Sequence, residues 1–287
     1  MSIDIKFYNS TVKNLNNLTF TDYYYRLKML AQSVFKWENL PNGMNEKWIE
    51  QFLFNEGRCM FFKDKTMGFM VTRCTPNSTL NYYEEPTRLR PYALGYTGDD
   101  LEVGSECVLI RNNDEMLETD LTIRLYAYRL TNITRTIDVN INAQKTPVLL
   151  MGSEKQKLTL KNVYSKWEGN EPVIYGDKGL DGEMPVAIKT DAPIVFPQLQ
   201  VQKQSIWNEC LTYLGINNAN TEKRERLITN EVDANDCHIE LSAQCFLKAR
   251  EFACEEINKL FGTNISVRKR EEDELECITD TQLHSEI

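Results

Sequence analysis

Acidic side chains lie close together at one point where the sequence could bind a divalent cation. Asp99, Asp100 and Glu102 follow Gly98 within four residues, and carboxylate oxygens are ligands that Mg²⁺ and Ca²⁺ prefer. With Mg²⁺ bound, such a cluster could serve a DNA-processing enzyme. The same residues are also typical of an exposed acidic turn after a glycine, and the turn is the interpretation that we favour.

The other chemically versatile residues form no recognisable catalytic or metal-binding motif. Cys237, His238 and Cys245 are close in sequence, but they lack a fourth ligand and do not have the spacing of a zinc finger. The eight cysteines form no C-x-x-C pair, which favours reduced thiols. Walker A, dinucleotide-binding and nucleophile-elbow sequences are absent. We therefore predict a protein that is not an enzyme and that uses neither a metal nor a cofactor.

The net charge of −9 is concentrated in two segments. A chain with this much acid would not be expected to grip nucleic acid through a basic face. Asp99–Asp120 alone has a net charge of −7, and Thr263–Ile287 has −4, which leaves +2 for the rest of the chain. The acidity therefore belongs to two local segments on a chain that is otherwise close to neutral.

Membrane insertion and secretion are not expected. No apolar run approaches the roughly 20 residues of a membrane-spanning helix. The first ten residues do not contain the basic segment followed by an apolar segment that begins a signal peptide. We therefore expect synthesis in a cytoplasm.

Apolar periodicity and the placement of glycine and proline predict long helices in an α+β fold. One helix is predicted over residues 117–145, because apolar residues recur there at a spacing of four without glycine or proline. These residues are Leu117, Leu121, Leu125, Ile133, Ile137 and Ile141. A second long helix begins at Pro197 and ends before Gly215, since proline suits the first helical turn and glycine the position after the last. Further helices are predicted over Phe20–Trp37, Asn45–Asn55 and residues 243–262.

Short strands are predicted in two regions of the chain. Strands at Cys59–Lys63, Met67–Arg73, Tyr92–Tyr96 and Glu106–Arg111 predict a small barrel or sheet. Residues 146–196 mix strands and a helix, which predicts a compact α/β unit at the tip of a hairpin of two long helices. Its elements are expected at Pro147–Met151, Leu158–Trp167, Pro172–Tyr175 and Pro185–Lys189. The polar run at residues 230–242 predicts a loop before the last helix.

Several segments, taken in order, resemble one protein family. They are FKWENLP (Phe35–Pro41), NAQKTPVLL (Asn142–Leu150), WEGNEPVIY (Trp167–Tyr175), KTDAP (Lys189–Pro193), WNECLTYLGINNANTEKRERLITNEV (Trp207–Val232) and FLKAREFACEEINKLFG (Phe246–Gly262). The chain resembles the portal proteins, also called upper-collar or head–tail connector proteins, of small short-tailed bacteriophages of the protein-primed Picovirinae type. One matching segment alone would be weak support for the resemblance, whereas several segments in the same order make it specific. The resemblance is poor across Pro76–Met116.

The resemblance implies a portal fold with a defined division of the chain. A wing with N-terminal helices and a small SH3-like β-barrel would precede a stem made of a long-helix hairpin. An α/β clip would lie at the tip of the stem. The implied divisions are the wing at 1–116, a stem helix at 117–145, the clip at 146–196, the second stem helix and a short helix at 197–229, a channel loop at 230–242, a C-terminal helix at 243–262 and an acidic tail at 263–287.

The resemblance also implies a function and a set of partners. Portals of this type are rings of twelve subunits around an axial channel for double-stranded DNA, whose base sequence they do not read. The ring would occupy one capsid vertex of the virion, where it would serve genome packaging, head–tail joining and genome ejection. Its partners would be further copies of itself, a packaging ATPase, the major capsid protein and the lower collar or tail protein. A packaging RNA is not carried over, because Lys6 is the only basic residue in Met1–Thr11.

Finally, the resemblance implies which residues face the channel and the motor. Lys189 aligns with a lysine that forms a ring in the family's channel, whereas Gln198 stands where the family has a second lysine. The polar residues expected on the channel loop are Asn230, Asp233, Asn235, Asp236, His238 and Glu240. The clip lysines expected to face the motor or the tail are Lys155, Lys157, Lys161 and Lys166. Two alternatives stay open: another virion structural protein, such as a lower-collar or scaffold component, and the metal-dependent enzyme.

Overall fold

The computed structural model describes residues 5–77, 79–144, 148–149, 186–187, 193–217 and 229–270. Its helices are α1 (Ile5–Ser33), α2 (Glu46–Glu56), α3 (Asp120–Gln144), α4 (Phe196–Tyr213) and α5 (Thr229–Phe261). Its strands are β1 (Phe35–Glu38), β2 (Arg58–Asp64), β3 (Gly68–Pro76), β4 (Arg88–Ala93), β5 (Tyr96–Thr97), β6 (Leu101–Glu102), β7 (Cys107–Arg111), β8 (Val148–Leu149), β9 (Val186–Ala187) and β10 (Ser266–Lys269). The predicted α+β fold class is confirmed. The chain divides into two compact units, Met1–Asn132 with Lys203–Ile287, and Ile133–Gln202.

The first unit contains a six-stranded antiparallel sheet at the predicted place of the small barrel. Its strands run in the order β5-β4-β3-β2-β7, and β6 pairs with β4. One face buries a core of Met60, Phe62, Cys74, Leu89, Cys107 and Leu109. Because side chains alternate along a strand, Phe61 of β2 points to the other face, where its ring lies 5.3 Å from that of Phe261 at the end of α5. Residues 59–62 are therefore buried on both sides.

The strand predicted at Tyr92–Tyr96 is two strands instead. Ala93 of β4 pairs with Tyr96 of β5 across a tight hairpin. Gly95 in that hairpin has a φ of +75°, a left-handed conformation that glycine adopts without steric cost. The glycine therefore turns the chain within the predicted segment.

Helix α2 has the boundaries that its capping residues dictate. The Asn45 side chain accepts a hydrogen bond from the backbone N–H of Lys47 at 2.9 Å, and Gly57 ends the helix with a φ of +70°. The helix predicted at Asn45–Asn55 is thus confirmed. Its buried face carries Ile49 and Leu53, whereas Trp48, which was expected to lie on that face, is half exposed.

The helix predicted at Phe20–Trp37 ends earlier, because its last residues pair as a strand. Helix α1 ends at Ser33, and Phe35–Glu38 forms β1. The partner of β1 is β10, in the antiparallel register Phe35 opposite Lys269 and Glu38 opposite Ser266. Phe35 and Trp37 are buried while their neighbours are half-buried, as the period of two requires. A pairing across more than 200 residues has no local signature.

Helix α3 occupies nearly the predicted range, but the apolar series that predicts it is not the face that the protein core covers. Leu117, Leu121 and Leu125 are 60%, 68% and 57% exposed. The buried residues of α3 in the first unit are Ile123, Tyr126, Ala127, Leu130 and Thr131. This set has the spacing of a helix face, so two apolar faces compete in the sequence and the protein core covers only one of them.

The loop predicted at residues 230–242 is wrong, because these residues continue helix α5 from Thr229. Ile239, Ala243 and Phe246 are buried at spacings of four and three, as on one face of a helix. His238 and Glu240 flank that face and are exposed. The polar run therefore does not interrupt the helix, and its described residues His238 and Glu240 face solvent.

In the second unit, β8 and β9 form an antiparallel pair, Val148 opposite Ala187 and Leu149 opposite Val186. These lie within the strands predicted at Pro147–Met151 and Pro185–Lys189. The predicted elements at Leu158–Trp167 and Pro172–Tyr175, and the short charged helix before residue 229, lie outside the described residues. The division into wing, stem and clip stays a prediction.

A buried ion pair connects α5 to α2. Arg250 Nε and Nη2 donate to the two carboxylate oxygens of Glu50 at 2.9 and 2.8 Å, and both side chains are 3% exposed. The remaining guanidinium N–H groups donate to Phe246 O, Asn112 O and Asn112 Oδ1. All five donors of the guanidinium are therefore satisfied.

Two aromatic residues of β1 complete this site. Trp37 Nε1 donates to Glu50 Oε1 at 2.8 Å, and the Arg250 guanidinium lies 4.4 Å from the centre of the Phe35 ring. Such desolvated cation–π contacts are worth about 2 kcal/mol. The pair thus joins α2, α5, β1 and the turn after β7.

Replacing Arg250 by methionine should unfold the subunit readily. Arg250→Met leaves the Glu50 carboxylate buried without its cation, and such losses cost about 3–5 kcal/mol. Urea denaturation would measure the loss of unfolding free energy. As a control, Arg26→Met breaks the exposed pair with Asp22 and should cost at most about 1 kcal/mol.

The double variant Arg250→Met with Glu50→Gln should recover part of that loss, because no charge is then left buried. The glutamine also keeps an acceptor for Trp37. An Arg250→Met loss as small as that of Arg26→Met would contradict the account.

Gly57 should be far more sensitive to substitution than Gly262, although both end helices at similar positive φ. A Cβ at Gly57 would lie 2.0 Å from Met116 O, whereas nothing lies within 4 Å at Gly262. Gly262→Ala should cost about 1–2 kcal/mol for the left-handed backbone alone. Gly57→Ala should exceed it by at least about 1 kcal/mol in urea denaturation, since the clash adds backbone strain. Equal losses would show that the β7–α3 turn yields freely.

Candidate functional site

Helix α3 is hydrogen-bonded to α4, or to the residues just before it, within each of the two compact units. In the first unit, the Tyr126 hydroxyl and Arg129 Nη1 both donate to Glu209, at 3.2 Å. In the second unit, Asn140 Nδ2 donates to Pro193 O at 2.9 Å, and Val195 N donates to Asn140 Oδ1 at 3.2 Å. Each unit therefore has its own polar contact between the two predicted stem helices.

The Glu209 carboxylate also affects the pKa of the Tyr126 hydroxyl. Burial, and after it the neighbouring Glu209 carboxylate, raises the pKa of Tyr126 to about 12. The phenol therefore stays protonated at neutral pH and donates to Glu209. In this contact the Glu209 carboxylate accepts a hydrogen bond from the neutral Tyr126 hydroxyl and also forms an ion pair with Arg129.

The side of α3 away from this contact is apolar and uncovered. Leu117, Leu121, Leu125 and Tyr128 follow one another at spacings of four, four and three, and each is more than half exposed. We call these four residues the α3 outer stripe. Single exposed apolar residues are ordinary, but an aligned set is typical of a protein–protein contact.

The predicted channel residues that the structure describes lie on α5. His238 and Glu240 are both exposed, on either side of the buried Ile239. The backbone of Asn230, Asp233, Asn235 and Asp236 belongs to the same helix, while their side chains lie outside the described residues. The six residues are thus brought onto one helical segment, and their orientation toward a channel stays a prediction.

The remaining predicted site residues fall elsewhere. Lys189 and the clip lysines Lys155, Lys157, Lys161 and Lys166 lie outside the described residues. Gln198, at the position of the second family lysine, is exposed in the first turn of α4. A side chain here could face a channel without rearrangement of the protein core.

The acidic turn that could have held a cation is occupied by protein partners. Asp100 accepts hydrogen bonds from Arg90 Nε at 2.6 Å and from Asn77 Nδ2 at 2.7 Å. The Arg90 hydrogen bond lowers the pKa of the Asp100 carboxyl below its usual value. Among the described residues, no group of three or more His, Cys, Asp or Glu side chains is placed to hold a metal ion. The acidic-turn interpretation is favoured over the metal-dependent enzyme.

Most other acids of Asp99–Asp120 face solvent. Asp99, Glu102, Glu106, Asp114, Glu115 and Glu118 are exposed. Asp120 at the start of α3 is partnered instead, by Arg124 Nε at 2.7 Å and by the Tyr24 hydroxyl at 2.5 Å. The segment is therefore an exposed negative surface with two of its acids neutralised.

In the part of the chain that the structure describes, none of the helices combines the length and the apolar character needed to cross a bilayer.

A family model described as Phage Connector (GP10) matches residues 5–274. The chain belongs to the phage connector family. The connector is thus a portal vertex, or head–tail connector, protein, as its sequence predicted. The match includes residues 76–116, where the sequence resemblance alone was poor.

Three solved structures are similar to the connector, to different degrees. A chain from the portal and tail of native bacteriophage P68 matches with a TM-score of 0.52 and 14% identity, covering 95% of the connector and 93% of that chain. An HK97 family phage portal protein from Corynebacterium diphtheriae gives 0.44 at 11% identity, covering 86% and 91%. A chain of the native gene transfer agent virion gives 0.43 at 11% identity, covering 91% and 84%. The P68 match supports the portal fold.

Sequence reasoning missed the Arg250–Glu50 pair and the outer stripe. Arg250 falls in the buried series Phe246, Ala253 and Ile257. A charged residue at a core position of a helix is a signal that a buried partner exists. The signal does not say which carboxylate is the partner, because Glu50 lies 200 residues away.

Proposed function

We propose that the connector assembles as a closed ring, a homododecamer, around an axial channel for double-stranded DNA. The ring would sit at one capsid vertex of the virion, admit the genome during packaging, join head to tail and release the genome on ejection. The family match over residues 5–274 carries this proposal, and the portal fold shared with the P68 chain supports it. The chain would be made in the cytoplasm of the host bacterium.

The α3 outer stripe is the surface that we assign to contact between neighbouring subunits. In a single subunit the four side chains are open to solvent, although burial of each would contribute about 1.5–3 kcal/mol. In a ring every subunit meets two neighbours through the same pair of surfaces. A stripe on a straight helix therefore suits a contact that repeats around an axis.

The channel wall is proposed to include the first turns of α5 and the Lys189 ring. Each phosphate that a lysine neutralises strengthens DNA binding and slows sliding. A single ring of lysines, with Gln198 in place of the second, would give weak and equivalent contacts around the duplex. Further polar side chains, half of them acidic, would come from Asn230, Asp233, Asn235, Asp236, His238 and Glu240. Such a wall does not read base sequence, which needs specific groove contacts.

The connector is proposed to be a conduit without catalytic activity of its own. The packaging ATPase would be a separate protein that meets the clip, where Lys155, Lys157, Lys161 and Lys166 are expected to face the motor or the tail. The major capsid protein and the lower collar or tail protein would contact other surfaces of the ring. A packaging RNA is not part of the proposal.

Charging the outer stripe should abolish ring formation without unfolding the subunit. Leu121→Glu with Leu125→Glu would force two carboxylates into each contact, at a cost of several kcal/mol per buried ion. Because 1.4 kcal/mol is a factor of ten in affinity, a cost of several kcal/mol should weaken each contact by at least about a hundredfold. Negative-stain microscopy and light scattering would detect the loss of rings, and circular dichroism would check the fold.

Leu94→Glu is the matched control, because Leu94 is fully exposed at the β4–β5 hairpin and lies outside the stripe. Rings of the control variant should persist. Rings that form normally in the stripe variant would overturn the assignment of this surface, and a wild-type protein that never forms rings with a central hole would overturn the proposed function.

Changing the basic rings should alter DNA handling while rings still form. Lys189→Ala removes one charge per subunit, and Gln198→Lys adds one on an exposed side chain. We expect opposite effects on DNA retention in filled heads, with the steeper salt dependence in Gln198→Lys because more phosphates are neutralised. Packaging and retention assays at two salt concentrations would measure this. Unaltered packaging and retention in Lys189→Ala would exclude a role for that lysine.

A further inference from the structure

An apolar groove lies between α2 and the β2–β3 hairpin of the first unit. It encloses about 280 Å³. Its lining includes Met44, Trp48, Phe52, Met67, Phe69 and Val71. Trp48 and Met67 are 51% and 69% exposed, so large apolar side chains stand open to solvent around a cavity. A surface of this kind is typical of a binding groove.

The rim of the groove is basic. Lys47 Nζ lies 5.6 Å from the centre of the Trp48 ring, and Lys63 Nζ lies 5.3 Å from that of Phe69. Lys65 is exposed in the hairpin turn. The nearby carboxylate of Asp64 accepts the backbone N–H groups of Thr66 and Met67, which hold it in the turn. Three lysines therefore lie on the helix and the hairpin that form the groove, and an acidic ligand with apolar side chains would complement both features.

The last described residue of the chain is fixed beside this groove. Arg270 N donates to Val34 O at 2.9 Å, and the Arg270 guanidinium forms an ion pair with Glu46. Glu46 is the first residue of α2 and follows Asn45, which lines the groove. The chain therefore leaves β10 next to one end of the cavity.

The segment that follows has the composition that the groove would bind. Residues 271–287 read EEDELECITDTQLHSEI, with five acids among the first six residues. Leu275 and Ile278 stand within and just after this acidic run. Seventeen residues span up to about 56 Å when extended, so reach is not limiting. Because the tail is covalently attached, its effective concentration at the groove is in the millimolar range.

We propose that the acidic tail, residues 271–287, docks into the apolar groove between α2 and the β2–β3 hairpin of its own subunit. The acids at 271–276 would lie against Lys47, Lys63 and Lys65, and Leu275 or Ile278 would enter the cavity beside Trp48 and Met67. Docking would cover apolar surface that the free subunit exposes. The proposal does not depend on ring formation or on DNA, since all its residues belong to one unit of a single chain.

Crosslinking through the natural Cys277 of the tail would test the proposal. Met67→Cys places a thiol at the groove, and Leu94→Cys places one at an even more exposed position on the β4–β5 hairpin. Both variants would carry Cys237→Ser and Cys245→Ser, because those two thiols are exposed. Under copper–phenanthroline oxidation of the full chain, we expect the Met67→Cys variant to form an intrachain disulfide at least about tenfold faster. Peptide mass spectrometry would identify the product.

Two further experiments distinguish the chain's own tail from other ligands of the groove: reversing the charge of the lysines, and mixing two variants. Lys47→Glu with Lys63→Glu and Lys65→Glu, or 0.5 M salt, should slow the crosslink severalfold, because exposed charge pairs are screened by salt. Mixing Met67→Cys, Cys277→Ser chains with chains that keep Cys277 should give no mixed product. Equal rates for the Met67→Cys and Leu94→Cys variants would overturn the proposal. A mixed product would overturn it in favour of a tail from a second copy.

Discussion

The ion pair between Arg250 and Glu50 is the interaction on which the arrangement of the first unit depends. Burying two charges is costly unless every donor and acceptor finds a partner with good geometry. Here the guanidinium makes five hydrogen bonds, which fix α5 against α2 and against Asn112 after β7. Asn112 in turn donates to Thr119 Oγ1 and Leu117 O just before α3. The start of α3 is therefore positioned by the same network.

On both sides of Arg250, helix α5 packs against other parts of the first unit. Beyond Arg250, α5 buries Ala253 and Ile257 and ends with Phe261 against Phe61 of the sheet. The chain then returns as β10 beside β1, which supplies Phe35 and Trp37 to the ion pair. Near the middle of the helix, Ala243 lies so close to Gly215 that a Cβ added at Gly215 would lie 2.6 Å from the Ala243 Cβ. Small residues thus let the segment after α4 cross α5 closely.

Local sequence patterns predicted the positions of helices and strands better than they predicted which distant residues those elements contact. The strands β2, β3 and β7, helix α2 with its Asn45 and Gly57 caps, and the length of α3 follow from spacing and turn residues. The β1–β10 pairing and the Arg250–Glu50 contact join residues more than 190 positions apart, which a single sequence does not encode locally. The polar run at 230–242 predicts a loop only if its helical phase is ignored, because the apolar Ile239 and Ala243 within and after it lie on one buried face of α5. Of the candidate channel residues whose side chains are described, His238 and Glu240 are both exposed.

The error on α3 has a physical cause that bears on assembly. Periodicity reports that a face is apolar, but it does not report what covers that face. The core covers Ile123, Ala127 and Leu130, so Leu121 and Leu125 stay exposed in the single subunit. Just before them stand the exposed acids Asp114, Glu115 and Glu118. In a ring each stripe would meet a different surface of the neighbouring subunit, so these acids would lie beside the contact without facing their own copies. Salt screens exposed charges beyond about 8 Å at physiological ionic strength, and it should therefore weaken a contact made mainly by leucines less than it weakens an acidic tail on a lysine rim.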